Sequence, residues 1–337
     1  MGGSALKNTV TRRYAKAEYE ALRDEVLRQL QTDFPKHQVA AIPAYRAKES
    51  FGDLDILLDT ADLTIDWPGY LQQTFAPQEI VKNGPVISFD YQQFQIDLIA
   101  STPDDFAISL HYFAWNDLGN IIGRLLHKMG FKYGHDGLSL MFRHGDYQYG
   151  ALCISKDIEQ ILAFAGLDAE RFLAGFDTLE DIFRFAASSP FFNKDIYLLE
   201  NRNHAARSRD RKRQTYNALL KWLETQTELP AYPWESLKEQ GGVQYKQVFV
   251  ERAYEFFPAC QPKIADMYAR FQVWKSARAK FNGRLVSSWT GLQQQALGQF
   301  MQQLKTQAAV EFADFQQWLH DTPLPQIQAW VLAQQAK

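Results

Sequence analysis

Two short runs constrain this chain more than any other: Phe51-Gly52-Asp53-Leu54-Asp55-Ile56-Leu57-Leu58 and, further on, Gln95-Ile96-Asp97-Leu98-Ile99. Side chains on a strand alternate between faces, so Asp53 and Asp55 point one way while Leu54, Ile56 and Leu58 point into a core. Asp97 is also set among apolar residues and can come from the neighbouring strand. Three carboxylates gathered on one sheet face repel each other, and a divalent cation relieves that repulsion. Such an arrangement suits the metal-assisted chemistry of phosphoryl groups.

The surrounding pattern supplies the rest of a mixed fold. Leu22, Val26, Leu27 and Leu30 recur at helical intervals and predict an amphipathic helix over 17–30. A strand over 37–42 stops at Pro43, the carboxylate strand covers 51–58, and a short helix over 66–74 starts near Trp67-Pro68. Residues 86–89 and 93–100 alternate on either side of Asp90-Tyr91-Gln92, which predicts a hairpin with Asp97 on its second arm. Helices are expected over 104–113, 117–129, 155–165 and 178–187, and strands over 134–143 and 147–153. From Phe191 onward only helical patterns occur. In the glutamine-rich final stretch, Trp289, Leu292, Ala296, Phe300 and Leu304 keep a helical spacing, which predicts a packed helix. No internal repeat is visible.

Composition narrows the function classes. The 337 residues suffice for two or three domains, and a net charge of −3 gives no global pull toward nucleic acid. Any such contact must rest on local patches. Cys153 and Cys260 are the only cysteines, too few for a disulfide framework or a thiolate zinc site, which fits a reducing cytosol. No apolar run approaches the roughly 20 residues that span a bilayer, and no secretory or myristoylation signal is visible. The expectation is a soluble, cytoplasmic protein with no membrane partner.

The segment Tyr45-Arg46-Ala47-Lys48-Glu49-Ser50-Phe51-Gly52-Asp53-Leu54-Asp55 resembles the palm motif of the DNA polymerase beta-like (family X) nucleotidyltransferases. Gln95-Ile96-Asp97-Leu98-Ile99 resembles the strand that carries their third metal-binding aspartate. The stretch from Leu110-His111-Tyr112-Phe113 through Asp117 and Asn120 to Arg124 and Gly130 is similar to their nucleotide-binding helix. Ser155-Lys156-Asp157-Ile158 to Gly166-Leu167 is similar to the end of their thumb. The resemblance covers residues 38–189.

It implies an α+β fold: a nucleotidyltransferase palm with a mixed sheet over 1–105 and a thumb-like nucleotide-binding segment over 106–189. An all-helical C-terminal domain is expected over 190–337. Asp53 and Asp55 would bind two Mg²⁺ ions, with Mn²⁺ as a substitute. Asp97 would bind the ion that activates a primer hydroxyl and accept its proton. Arg46 and Gly52 would meet the triphosphate, Tyr112 and Phe113 would line the sugar pocket, and Asp117, Asn120 and Arg124 would lie by the base pair. The implied reaction is transfer of a nucleoside monophosphate from a (d)NTP to a nucleic-acid 3′-hydroxyl, on DNA or RNA. Nucleotidylation of a tRNA end, a protein or a small molecule is the alternative, as is a silent nucleotide-binding module.

The chain departs from the family pattern at three points. Ile42-Pro43 stands where a Gly-Ser pair cradles the terminal phosphates, and proline has no N–H to offer. Gly2-Gly3-Ser4, with Lys7, Arg12 and Arg13 behind it, is a candidate substitute. Trp115-Asn116 stands where the sugar-pocket turn usually holds Gly-Ser. The family's lyase domain and helix-hairpin-helix elements have no counterpart.

Two basic clusters complete the reading. Arg202, Arg207, Arg209, Arg211, Lys212 and Arg213 include a single acid, Asp210, and are expected to track nucleic-acid phosphates. Lys263, Arg270, Lys275, Arg278, Lys280 and Arg284 alternate with Phe271, Trp274 and Phe281. Their spacing assigns the aromatics to packing and the cations to phosphates. His135 and His144 flank an apolar strand, but no third ligand has suitable spacing, so zinc is not expected. His111, His127 and His204 read as ordinary polar or core groups.

Overall fold

Apolar alternation produces the two central strands of a five-stranded mixed sheet. In order across it lie β2 (Val39–Ala41), β4 (Asp53–Asp59), β7 (Phe94–Ser101), β6 (Val86–Tyr91) and β5 (Ile80–Asn83). The pair β4–β7 is parallel and every other neighbour is antiparallel. A parallel pair needs a crossover, supplied here by α2 (Trp67–Thr74) and the β5–β6 hairpin. A small ribbon joins β1 (Tyr14–Ala15) to β3 (Ser50–Phe51). The computed structural model describes residues 5–145, 147–202, 204–229 and 244–335, with the backbone alone for 244–246.

The two sheet faces are covered differently. Helix α1 (Lys16–Asp33) turns Leu22, Val26 and Leu30 to one side, where they bury against Leu54, Ile56, Leu58, Ile96 and Leu98. Leu71 of α2 joins the same core. On the opposite face α3 (Pro103–Phe113) lays Phe106 over Leu57, Ile99 and Ile42. Thr102 starts that helix by accepting the Asp105 N–H at 3.3 Å, and Pro103 takes the position where a missing N–H does no harm. Asp53, Asp55 and Asp97 share this second face and stay half-buried.

Several element bounds differ from the sequence expectation. The hairpin turn is Gln92-Gln93, not Asp90-Tyr91-Gln92, and both turn residues have left-handed backbone (φ +51° and +61°). Asp90 looked like a turn former, but it is a buried strand residue. Its carboxylate accepts the N–H groups of Gln78 and Glu79 at 2.9 and 2.7 Å. The carboxylate strand breaks at Gly52 into β3 and β4. The strand expected over 134–143 is two, β8 (Phe131–Gly134) and β9 (Gly137–His144), turning at Gly137 with φ +101°.

Contacts divide the chain into two compact units, Met1–Leu140 with Cys153–Phe257, and Met141–Leu152 with Pro258–Lys337. The first adds α4 (Leu118–Met129), closed by Gly130 at φ +99°, and the helices Ile158–Phe164, Ala169–Ala174 and Leu179–Ala187. Its later helices are His204–Asp210, Gln214–Glu224 and Gln244–Phe256. The second unit holds Gln261–Lys280, Gly283–Thr290, Gln294–Glu311, Phe315–Asp321 and Leu324–Gln335. The single helix expected through Trp289 and Leu304 is two, separated at Gly291 with φ +74°. Phe271 is core, as its spacing suggested: it stacks on Trp274 and packs edge-on against Phe142. The fold is mixed α+β with a mixed sheet and a helical C-terminal region. Among the described residues no helix is long and apolar enough to cross a membrane.

Candidate metal-binding site

Register brings the three aspartates together. Parallel pairing sets Asp55 directly beside Asp97, and Asp53, two residues earlier on β4, shares their face. Each offers a carboxylate oxygen, and those oxygens all lie within 4.8 Å of one another. Burial, then the charges of Asp53 and Asp97, push Asp55 up to about 8, with Lys48 opposing. Burial also lifts Asp97, to about 6. A Ser88 hydrogen bond works against that rise, the Asp53 charge adds to it, and Gln95 again opposes it. Burial and mutual repulsion both favour the protonated form of these groups. A hard divalent cation is the ligand such oxygen donors fit.

The sequence reading did not assign three neighbours. Lys48 is half-buried with its ammonium 4.5 Å from the Phe51 ring centre. Burial lowers its pKa, while Asp53 and Asp55 raise it. Ser88 sits across from Asp97 on β6, which only the hairpin register reveals. Gln95 is 2% exposed and donates its amide to both Asp97 oxygens, at 2.9 and 3.0 Å. The period-two spacing of Gln95 and Asp97 was the signal that could have found it.

The expected nucleotide-binding residues lie in the same unit, and several already have partners. Gly52 is buried at the β3–β4 break. Exposed Arg46 pairs with Asp177 at 2.7 Å and also donates to the Ala174 carbonyl. Tyr112 and Phe113 are half-buried with ring centres 5.2 Å apart, Tyr112 edge-on to Tyr133 and Phe113 stacked on His135. Asp117 accepts from Asn120 and Arg213, each at 3.2 Å. Arg124, expected beside a base pair, is 9% exposed and ion-paired with fully buried Asp210 at 2.6 Å. It also donates to the Tyr216 hydroxyl at 2.8 Å.

The altered turn carries backbone strain. Trp115 and Asn116 both take left-handed φ, +59° and +62°, at the place where the resembled family uses Gly-Ser. The Trp115 indole lies over Gly175, where an added Cβ would come within 2.6 Å of the ring and 3.2 Å of the Arg46 guanidinium. At the other departure, the Pro43 carbonyl accepts the Trp115 N–H at 2.8 Å. Gly2-Gly3-Ser4 lies outside the described residues. Behind it, Arg12 pairs with Glu18 at 2.7 Å and Arg13 donates to the Ser50 hydroxyl at 2.8 Å.

The first basic cluster is divided by its own acid. Arg202 and Arg209 approach Asp210 at 3.5 and 3.6 Å, and Arg207 donates to the Arg202 carbonyl at 3.2 Å. Arg209, Arg211 and Lys212 are exposed, and Arg213 is held by Asp117. Among the described residues, Asp53, Asp55 and Asp97 are the one group of three or more ligand-type side chains spaced to hold a metal. No family model matches this chain, and no curated protein matches it.

Proposed function

We propose that this chain is a nucleotidyltransferase, transferring a nucleoside monophosphate from a (d)NTP to a hydroxyl acceptor. The observation that carries the reading is the β4–β7 register, which gathers three carboxylates that repel one another. On the proposal, Asp53, Asp55 and Asp97 hold Mg²⁺, or Mn²⁺ in its place. The cation supplies charge neutralisation for the triphosphate and eases ionisation of the attacking hydroxyl. Rigid strands hold the carboxylates at fixed spacing, so alignment needs little reorganisation. Lys48 balances the charge of Asp53 and Asp55 from one side. Arg46 is available to phosphate because its partner Asp177 is exposed, and exposed ion pairs exchange at small cost.

For the acceptor, a nucleic-acid 3′-hydroxyl is favoured by the exposed cations Arg209, Arg211 and Lys212. A specific observation supports a second reading, an acceptor other than a templated duplex. Asn120, Arg124 and Arg213, the groups expected near a base pair or backbone, all have partners within the protein. Incubation with labelled dNTP or NTP, Mg²⁺ and primed DNA, single-stranded DNA or tRNA separates the two. Extension of primed DNA alone supports templated synthesis, while label on single strands, tRNA or protein supports the second reading. Asp97→Asn is expected to remove nearly all incorporation and keep the fold, and full activity in that variant would sink the proposal.

A further inference from the structure

Residues 5–14 form a strap with defined anchors on the sheet-bearing unit. At one end Glu79 accepts three successive backbone N–H groups, from Lys7 at 3.0 Å, Asn8 at 2.8 Å and Thr9 at 3.0 Å. The Asn8 amide adds a fourth bond at 3.1 Å. Burial alone would raise the Glu79 pKa, but these backbone donors hold it below the ordinary value. Further on, the Arg12 N–H reaches the Gln93 carbonyl at 2.8 Å and the Tyr14 hydroxyl donates to the Gln92 carbonyl at 2.5 Å. Leu6, just ahead of the Glu79 anchor, is buried.

One strap contact leads to the site. The Ala5 N–H donates to the Gln95 side-chain oxygen at 3.0 Å. A glutamine amide offers an acceptor at one end and two donors at the other. Ala5 occupies the acceptor end, so the NH₂ end must face Asp97, where it spans both carboxylate oxygens. Were the amide flipped, its oxygen would confront the Asp97 carboxylate and the Ala5 N–H would meet an NH₂ group.

We infer that the strap, through Gln95, is a positioning element that sets the orientation of the Asp97 carboxylate for cation binding. This rests on the metal-binding reading of the three aspartates. Glu79 holds the strap, Ala5 selects the amide orientation of Gln95, and Gln95 fixes both oxygens of Asp97. Groups that orient a metal ligand from behind commonly change metal affinity by about 10–100-fold when removed. Gln95 touches no reacting atom and Glu79 acts from further away, so both are positioning residues.

The test is Mn²⁺ titration of the full chain by calorimetry, in wild type, Asp97→Asn, Gln95→Leu, Glu79→Ala and the Gln95/Glu79 double variant. Thermal unfolding without divalent cations runs alongside to report the fold. Gln95→Leu is expected to weaken Mn²⁺ binding by about tenfold or more in protein that remains folded. Glu79→Ala, a change at the partly exposed end of the strap, is expected to weaken it by a smaller factor. The double variant should bind no more weakly than Gln95→Leu, because both act along one route. Wild-type affinity in folded Gln95→Leu overturns the inference while leaving the metal site standing. If Gln95→Leu does not fold, Glu79→Ala decides, and unchanged affinity there overturns the strap's role. Failure of wild type to bind Mn²⁺, or binding indifferent to Asp97→Asn, sinks the metal reading and the inference together.

Discussion

At Asp55, burial and two neighbouring carboxylates act in the same direction, and their effect on stability has a definite sign. A carboxyl raised to about 8 in the native state, against about 3.9 unfolded, binds more protons when folded across that window. Native stability is therefore lost as pH rises from about 4 toward 8 in the absence of cations. Asp55→Asn should reduce this dependence, leaving the smaller part that raised Asp97 contributes, and, near pH 8 with chelator present, stabilise the protein by on the order of 2 kcal/mol. Urea unfolding of both proteins at about pH 5 and pH 8 checks this, and parallel pH profiles would refute it. The aspartates were legible in the sequence because strand periodicity is local. The partner of Arg124 was not legible for the opposite reason, since Asp210 lies far along the chain and only folding buries them together.

Turns and breaks mark the limit of legibility at the scale of elements. The central strands and α1 to α4 follow from period-two and period-3.6 apolar spacing, with ends shifted by a few residues. The β6–β7 hairpin was foreseen, but its turn was placed too early because Gln92-Gln93 lacks the Asn-Gly or Asp-Gly signature of its left-handed geometry. That mismatch implies stored strain. Gln93→Gly relieves a φ of +61° and keeps the carbonyl that Arg12 uses, so it should stabilise by about 1 kcal/mol. A denaturation midpoint that falls instead of rising would show the glutamine side chain to matter more than its backbone. Trp115-Asn116 is a different case. Its left-handed pair is held in place by the Trp115 indole over Gly175 and by the Pro43 carbonyl.

For the molecule as a whole, the Arg124–Asp210 pair ties α4 to the helix His204–Asp210 inside the first unit. Tyr216 accepts from Arg124 and donates to the Tyr197 carbonyl, and the Tyr197 hydroxyl reaches the Ile121 carbonyl at 3.0 Å. Removing one member leaves a buried charge with fewer partners. Arg124→Met and Asp210→Asn should therefore each destabilise by about 3–5 kcal/mol, read by urea unfolding. A loss under about 1 kcal/mol would mean water reaches the pair. This network packs Tyr197, Asp210 and Tyr216 against α4 of the sheet-bearing unit, a placement that a helical pattern alone does not encode.

Local order was written in the residues themselves. Which segments are strands, which are helices, and that Asp53 and Asp55 share a face all depend on neighbours two to four positions away. Tertiary structure decided what depends on distant partners: the register that sets Asp97 beside Asp55, the Gln95 amide turned toward it by Ala5, and the burial of Arg124. Periodicity encodes a side chain's face, but pairing across the sheet is set by packing and hydrogen-bond satisfaction summed over the whole unit.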